Sequence, residues 1–191
     1  YLSEPIEFGL EDSGSPDAPV LWRGSDGANP IISAGRRLDC QWMPHEGSVL
    51  KCSLAGQVEG QTFSQLYING RRQVLARYPN GDSRNVDISS YLTAAGADDW
   101  PHSEVYFDPD TFTQREWSRP EKAIVHIFPR NYWGNTQYRL EGVDREGKTL
   151  RLGAGGWQLK TISESSTGLS DRSRYFVENL FEELDAPSEW Y

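Results

Sequence analysis

The apolar residues of this chain occur in short runs that turn-forming residues separate. Residues 62–68 and 71–78 alternate between apolar and polar side chains, and Asn69-Gly70 lies between them. Both residues of an Asn-Gly pair tolerate the positive φ angles of a tight hairpin turn, so the pattern predicts two antiparallel strands that are joined here. Other short apolar runs, bounded by turn-forming residues, predict further strands at residues 18–24, 29–35, 48–54 and 104–108.

The second half of the chain contains one fully apolar run, residues 123–128, of the type found in buried strands. After a loop, residues 136–143 and 149–153 form two more runs with a short turn between them, which predicts a second hairpin. Only residues 176–184 place apolar side chains at helical spacing, so one short C-terminal helix is predicted. Many short strands and almost no helix predict an all-β fold, a β-sandwich or barrel-like domain.

The composition is that of a folded chain with a net negative charge. Of the 191 residues, 37% are hydrophobic, and no apolar run approaches the roughly 18 residues of a membrane span. The 19 Lys and Arg residues against 28 Asp and Glu residues give a net charge of −9. Nucleic acids and anionic membranes are bound mainly through Lys and Arg, so neither is expected as a partner. The first residues also lack the basic start and apolar core of a signal peptide.

Cys40 and Cys52 are the only cysteines, and the sequence leaves two possibilities open for them. They form one disulfide across a short loop, or they are two free buried thiols. Two sulfurs cannot make a four-cysteine zinc site within one chain. His45, His102 and His126 have no partner at metal-ligand spacing, so neither a metal nor another cofactor is predicted.

Five stretches of sequence together point to one family. They are YLSEPIEFGLEDSG with PVLWRG and IISAGRRL near the start, then LYINGRRQVLARYPN, AIVHIFPRNYWGNTQYRLEGVD, LGAGGWQ and RYFVENLFEELDAPSEWY. In this order they resemble bacterial right-handed parallel β-helix glycoside hydrolases, and glycoside hydrolase family 141 in particular. In that family a β-sandwich is inserted near the start of the β-helix. The resemblance implies a flank of β-helix-type strands over residues 1–38, an inserted β-sandwich over residues 39–160 and a flank over residues 161–191 that returns to the β-helix.

The same resemblance implies a part of an enzyme that lacks its catalytic groups. The family's catalytic carboxylates lie on later coils of the β-helix, beyond a position that matches Tyr191. The 28 acidic residues of this chain include many close pairs, but no pattern among them marks a catalytic acid. The expected partner is therefore the remainder of a β-helix catalytic domain, and the resemblance implies a secreted or periplasmic protein.

Aromatic residues are the best lead to a ligand. The loop FPRNYWGNT, residues 128–136, combines ring faces with hydrogen-bond donors. Such a mixture suits sugar binding, because an aromatic ring covers the apolar face of a pyranose while polar groups meet its hydroxyls. We therefore expect a polysaccharide or oligosaccharide as ligand. The candidate binding residues are Arg130, Tyr132, Trp133 and Asn135 of this loop, together with Trp100 and Trp117.

Two functions follow from these observations and stay open. The first is a non-catalytic accessory domain that binds carbohydrate through its loop aromatics. The second is a purely structural insertion that shapes the active cleft or an oligomer interface of the parent hydrolase, without sugar affinity of its own. In the second case Trp133 fills the sandwich core or braces the junction with the β-helix. In either case His126, within a buried strand, is interpreted as a hydrogen-bonded core residue, with a ligand contact as the alternative. Activity of the chain on its own is a third possibility for which the sequence supplies no set of catalytic residues.

Overall fold

A computed structural model describes residues 1–58, 60, 62–81, 87–99, 103–112, 115–129, 131–132, 134–157 and 168–191. Strands are the main regular element of these residues, which confirms the predicted all-β class. The chain divides into two compact units, Tyr1–Thr62 and Phe63–Tyr191.

The first unit has little regular structure. Strands β1 (Met43–Pro44) and β2 (Leu50–Lys51) pair in antiparallel fashion, and Leu10–Asp12 forms a 3-10 turn. Cys40 and Cys52 form a disulfide, with their Cα atoms 5.4 Å apart. Of the two possibilities that the sequence leaves open, the structure therefore has the disulfide.

The strands predicted at residues 18–24 and 29–35 are wrong. No strand of the described structure includes these residues, and the nearest pairing is an isolated bridge between Ser15 and Ala18. An apolar run forms a strand only where another strand offers its hydrogen-bonding edge and a surface to pack on. Here the apolar side chains are largely exposed instead, as Leu21, Trp22, Ile31 and Ile32 illustrate.

The second unit contains the main sheet. Its strands are β3 (Tyr67–Ile68), β4 (Arg71–Arg72), β5 (Val74–Leu75), β6 (Arg77–Tyr78), β7 (Leu92–Thr93), β8 (Gly96–Ala97), β9 (Glu104–Tyr106), β10 (Ile124–Phe128), β11 (Thr136–Asp144), β12 (Thr149–Gly155), β13 (Arg174–Glu178) and β14 (Glu189–Trp190). Helix α1 spans Pro109–Phe112, and 3-10 turns span Ile88–Ser90, Pro120–Lys122 and Phe181–Glu183.

Eight strands form one antiparallel sheet in the order β6-β13-β10-β11-β12-β9-β8, with β7 paired to β13 beside β6. Both predicted hairpins are present. The first joins β3 to β4 through Asn69 and Gly70, whose φ angles are 51° and 74°. The second joins β11 to β12 by the turn between Asp144 and Thr149, which are paired across the two strands. Strands β5 and β14 form a separate two-stranded sheet and are parallel.

Alternation along the central strands separates two faces of this sheet. Val125 of β10 lies opposite Val177 of β13 and Tyr138 of β11, and all three side chains are buried in the core. His126 and Phe176 are also paired across β10 and β13, on the other face. Connecting segments complete the core with the side chains of Phe107, Phe112, Trp117, Leu169 and Leu180.

The helix predicted over residues 176–184 is corrected by the structure. Arg174–Glu178 is strand β13, and only Phe181–Glu183 forms a helical turn, of the 3-10 type. The apolar positions fit a helix, but they also fit a strand that places Val177 on the core face. This segment forms a strand because it pairs with β10 on one side and with β6 and β7 on the other. The strand ends before Asn179, whose φ is 66°.

Two neighbouring residues of β11 test this assignment of faces. Leu140 is 1% exposed and Glu141 points to solvent. We expect Leu140→Ala to lower the free energy of unfolding by about 2–5 kcal/mol, because it removes buried methyl groups and leaves a cavity. Glu141→Ala should change it by less than about 0.5 kcal/mol. Urea denaturation measures both, and equal effects of the two substitutions would contradict the register of β11.

Candidate functional site

The predicted sugar-binding loop connects β10 to β11, two neighbouring strands within the main sheet. Tyr132 and Asn135 are described by the structure, whereas Arg130 and Trp133 lie outside the described residues. The loop therefore brings two of its four candidates onto one rigid support, the adjacent ends of β10 and β11.

Tyr132 is held in a conformation that a tyrosine rarely adopts. Its φ of 55° lies in the left-handed region, and its backbone N–H donates a hydrogen bond to the Pro129 carbonyl at 2.7 Å. Its hydroxyl donates to the carbonyl oxygen of Arg172 at 3.0 Å, and 45% of the residue is exposed. Such backbone strain persists only where surrounding contacts hold it. The contacts at both ends of Tyr132 thus keep its ring partly exposed at a set position.

Asn135 is held from the sheet by a histidine and a glutamate. Its Nδ2 donates a hydrogen bond to His126 Nδ1 at 2.7 Å, and His126 Nε2 donates to Glu178 Oε1 at 2.7 Å. Because Nδ1 accepts, the ring proton lies on Nε2. The imidazole is 7% exposed and stacks on Phe176 with a centroid distance of 4.4 Å. His126 is therefore a positioning residue for the loop.

The amide oxygen of Asn135 is the unusual feature of this network. Oδ1 is buried and accepts no hydrogen bond from the residues that the structure describes. A buried acceptor without a partner typically destabilises a fold by about 1–3 kcal/mol.

Trp117, by contrast, is a core residue of the second unit. It is 9% exposed, and its ring packs edge-on against Phe112 with a centroid distance of 5.2 Å. Its Nε1–H donates to Glu183 Oε1 at 2.6 Å, and the guanidinium of Arg115 pairs with the other oxygen of the same carboxylate. This packing leaves neither face of the indole at the surface. The last candidate, Trp100, lies outside the described residues.

The carboxylates described near the chain terminus serve local structure. Glu183 is 2% exposed, and both of its oxygens are engaged. Burial raises the pKa of Glu189, although its Oε2 accepts hydrogen bonds from the backbone N–H groups of Asp185 and Ala186 at 3.2 and 3.1 Å. These two bonds close the turn before β14.

The described residues include neither a metal-binding cluster nor a membrane-spanning helix. Within the described ranges, no group of three or more His, Cys, Asp or Glu side chains is placed to hold a metal ion. None of the described helices has both the length and the apolar character needed to cross a membrane.

Comparisons with known proteins add one partial likeness. No protein-family model matches the chain, and no curated protein matches it. A solved structure titled "Glycoside hydrolase" is 18% identical, with a TM-score of 0.46. The match covers 68% of this chain and 22% of that one, so this chain spans about a fifth of the length of that protein. At this level of similarity, function has to be argued from the residues themselves.

Glu178 is the residue of the candidate site that the sequence patterns did not reveal. The pattern over residues 176–184 favoured a helix, which gives Glu178 no relation to His126. The signal that could have found it is the alternation in Arg174–Glu178, which puts Phe176 and Glu178 on one face of a strand. A histidine within the apolar run of β10 would then need a polar neighbour on that face.

The structural role of Trp117 can be tested by a substitution that removes its indole N–H donor. We expect Trp117→Phe to lower the free energy of unfolding by about 2–4 kcal/mol, because Glu183 loses a hydrogen bond in the core and a cavity forms. Trp157 is 71% exposed, so Trp157→Phe serves as the control and should change stability by less than about 0.5 kcal/mol. A neutral Trp117→Phe substitution would return this residue to the candidates for ligand contact.

Proposed function

We propose that this chain is a non-catalytic accessory part of a larger polysaccharide-degrading β-helix glycoside hydrolase, and that it binds polysaccharide or oligosaccharide through the β10–β11 loop. The observation that carries the proposal is the conformation and exposure of Tyr132. A strained backbone and an anchored hydroxyl hold a partly exposed ring in place. Strained residues cluster at binding and active sites, where surrounding structure stabilises them. A fixed, partly exposed ring is the surface on which a pyranose stacks.

Asn135 supplies the polar half of the proposed contact. Its Nδ2 is held by His126, so the buried Oδ1 keeps one orientation. A sugar hydroxyl that reached Oδ1 after a small opening of the loop would satisfy this acceptor. A buried amide oxygen is stabilised when a hydroxyl donates a hydrogen bond to it. Arg130 and Trp133 of the same loop, and Trp100, complete the proposed site as predictions from the sequence.

The proposal that the chain is non-catalytic has two supports. Hydrolysis of a glycosidic bond requires two carboxyl groups about 5–9.5 Å apart on either side of the bond. The most buried described carboxylate, Glu183, is occupied by Trp117 and Arg115 and cannot approach a substrate. The sequence resemblance is to the inserted sandwich and its flanks, and in that family the catalytic carboxylates lie on coils of the β-helix instead. Secretion of the parent protein is part of the same proposal.

Substitution of Tyr132 tests the binding site. We expect Tyr132→Ala to weaken polysaccharide affinity about tenfold, because the stacking surface is lost. Tyr67 is a matched control, since it is another exposed tyrosine of the second unit, and Tyr67→Ala should change affinity less than twofold. Affinity electrophoresis against plant and algal polysaccharides measures the effect, with tryptophan fluorescence to follow the titration.

Two results would count against this site. Equal affinity of the Tyr132→Ala variant and the unsubstituted protein would remove Tyr132 from the contact. The absence of binding to every polysaccharide by the folded protein would reject carbohydrate binding and favour the second function.

The second candidate function is a structural insertion without sugar affinity, and the first unit favours it. Large apolar side chains between residues 8 and 32 are exposed by 63–92%, namely Phe8, Leu10, Leu21, Trp22, Ile31 and Ile32. Extensive exposed apolar surface marks a place where another protein surface packs. In this proposal the remainder of the β-helix covers these side chains.

Strands β5 and β14 give the second candidate further support. They form a parallel sheet of only two strands, with Val74 N–H donating to the Ser188 carbonyl at 2.9 Å and Ala76 N–H to the Trp190 carbonyl at 2.8 Å. Parallel sheets are almost always larger and covered on both faces. Further parallel strands from a β-helix would extend this pair on its open edges.

Two exposed residues of the first unit test its apolar surface. We expect Leu10→Ser and Ile31→Ser to change the free energy of unfolding by less than about 0.5 kcal/mol, and to reduce binding of an apolar fluorescent dye. Leu54, which is only partly exposed, is the control, and Leu54→Ser should be more destabilising. Losses above about 2 kcal/mol for Leu10→Ser or Ile31→Ser would mean that the chain buries these side chains itself, which contradicts the docking surface.

A further inference from the structure

A small pocket of about 200 Å³ lies on the second unit, beside the 3-10 turn Phe181–Glu183. Leu180, which is 1% exposed, lines it together with Arg119, Asn179, Phe181, Glu182 and Tyr191. Clefts for drug-sized ligands measure about 300–1,000 Å³, so this pocket accommodates one ring-sized group. It is separate from the β10–β11 loop, and no candidate from the sequence lines it. We name it the Arg119 pocket.

Two aromatic rings form the apolar wall of the Arg119 pocket. The rings of Phe181 and Tyr191 pack edge to face, with centroids 5.6 Å apart and an interplanar angle of 65°. Both remain partly exposed, by 36% and 46%. A wall of partly exposed rings above a buried leucine suits the C–H face of a pyranose.

Hydrogen-bond acceptors and a hydrogen-bond donor also line the Arg119 pocket. Glu182 Oε1 accepts a hydrogen bond from the Ser118 backbone N–H at 2.9 Å. Although partial burial opposes it, hydrogen bonding from Ser118 lowers the pKa of Glu182, so its carboxylate is ionised at neutral pH. Asn179 donates through Nδ2 to the Lys122 carbonyl at 2.7 Å, which directs its amide. Arg119 is exposed and lines the pocket, and its side chain ends in a guanidinium donor.

We propose that the Arg119 pocket binds a single neutral pyranose ring. Glu182 and Arg119 carry opposite charges, so the lining of the pocket has no excess charge that would favour an anion or a cation. A neutral polyol can donate hydroxyl protons to Glu182 and Asn179 and accept from Arg119, while its C–H face meets Phe181. The ligand class rests on the proposed function, but the residues are different ones.

The probes are the methyl pyranosides of glucose, galactose, mannose, xylose and fucose, with glucuronic acid as the charged comparison. Ligand-observed NMR titration of the whole chain gives the affinities. We expect at least one neutral pyranoside to saturate, and its affinity to fall about tenfold in both Arg119→Gln and Phe181→Leu. Glu121→Gln is the control, because Glu121 is exposed, close in sequence and outside the pocket lining, and it should change affinity less than twofold.

Three outcomes would overturn the inference: no neutral pyranoside binds, the Arg119→Gln variant binds as tightly as the unsubstituted protein, or glucuronic acid binds more tightly than every neutral probe. Because Arg119 is exposed, its variant stays informative if Phe181→Leu does not fold.

Tyr132→Ala separates the two proposals. Polysaccharide binding that depends on Tyr132, without pyranoside binding, would overturn the pocket alone. Pyranoside binding that depends on Arg119, with polysaccharide affinity independent of Tyr132, would overturn the loop alone.

Discussion

Two consecutive carboxylates, Glu182 and Glu183, hold one end of the second unit together. Glu183 accepts from the indole N–H of Trp117 and pairs with Arg115, while Glu182 accepts from the backbone N–H of Ser118. A carboxylate that is 2% exposed must be paired, because the loss of its hydration is otherwise too unfavourable. These hydrogen bonds hold the segment before β10 against the turn after β13. They keep Trp117 buried and bring Arg119 beside Phe181.

Strand β13 connects this end of the unit to the proposed sugar loop. Just before the strand, the carbonyl of Arg172 accepts the hydroxyl of Tyr132. Within it, Glu178 holds His126, which in turn holds Asn135, and Phe176 stacks on the same imidazole. Just after the strand, Asn179 and Leu180 line the Arg119 pocket. Because β13 has pairing partners on both sides, it is a rigid base for both sites. Binding residues on such a base need little ordering when a ligand arrives.

Predictions from the sequence succeeded where the deciding contacts are local. The hairpin at Asn69-Gly70 and the one between β11 and β12 depend on neighbouring residues, and both are present. Residues 176–184 fit a helix and a strand almost equally well, and β10, which decides between them, lies about fifty positions earlier in the chain. The runs at residues 18–24 and 29–35 carry a strand pattern, but they have no strand beside them.

The same limit applies to the candidate site. The loop that contains Tyr132 and Asn135 could be predicted because its composition is itself the signal. Trp117 is a candidate binding residue from the sequence, yet its hydrogen-bond partner in the core, Glu183, is 66 positions away. The Arg119 pocket has no sequence signature, since its two sides come together only through the contacts of Glu182 and Glu183.

The arrangement of the two sites also bears on the choice between a binding module and a structural insertion. A purely structural insertion has no need of a strained, partly exposed tyrosine at one end of β13 or of a pocket with aromatic walls at the other. A strand of five residues extends over roughly 17 Å, which is the separation along β13 that one polysaccharide chain would have to span to contact both proposed sites. Two weak contacts on a single chain reinforce each other, because the second forms at an effective concentration on the order of millimolar. Such a pair would favour long polysaccharides over single sugars, whereas a docking surface for a β-helix would show no dependence on sugar length.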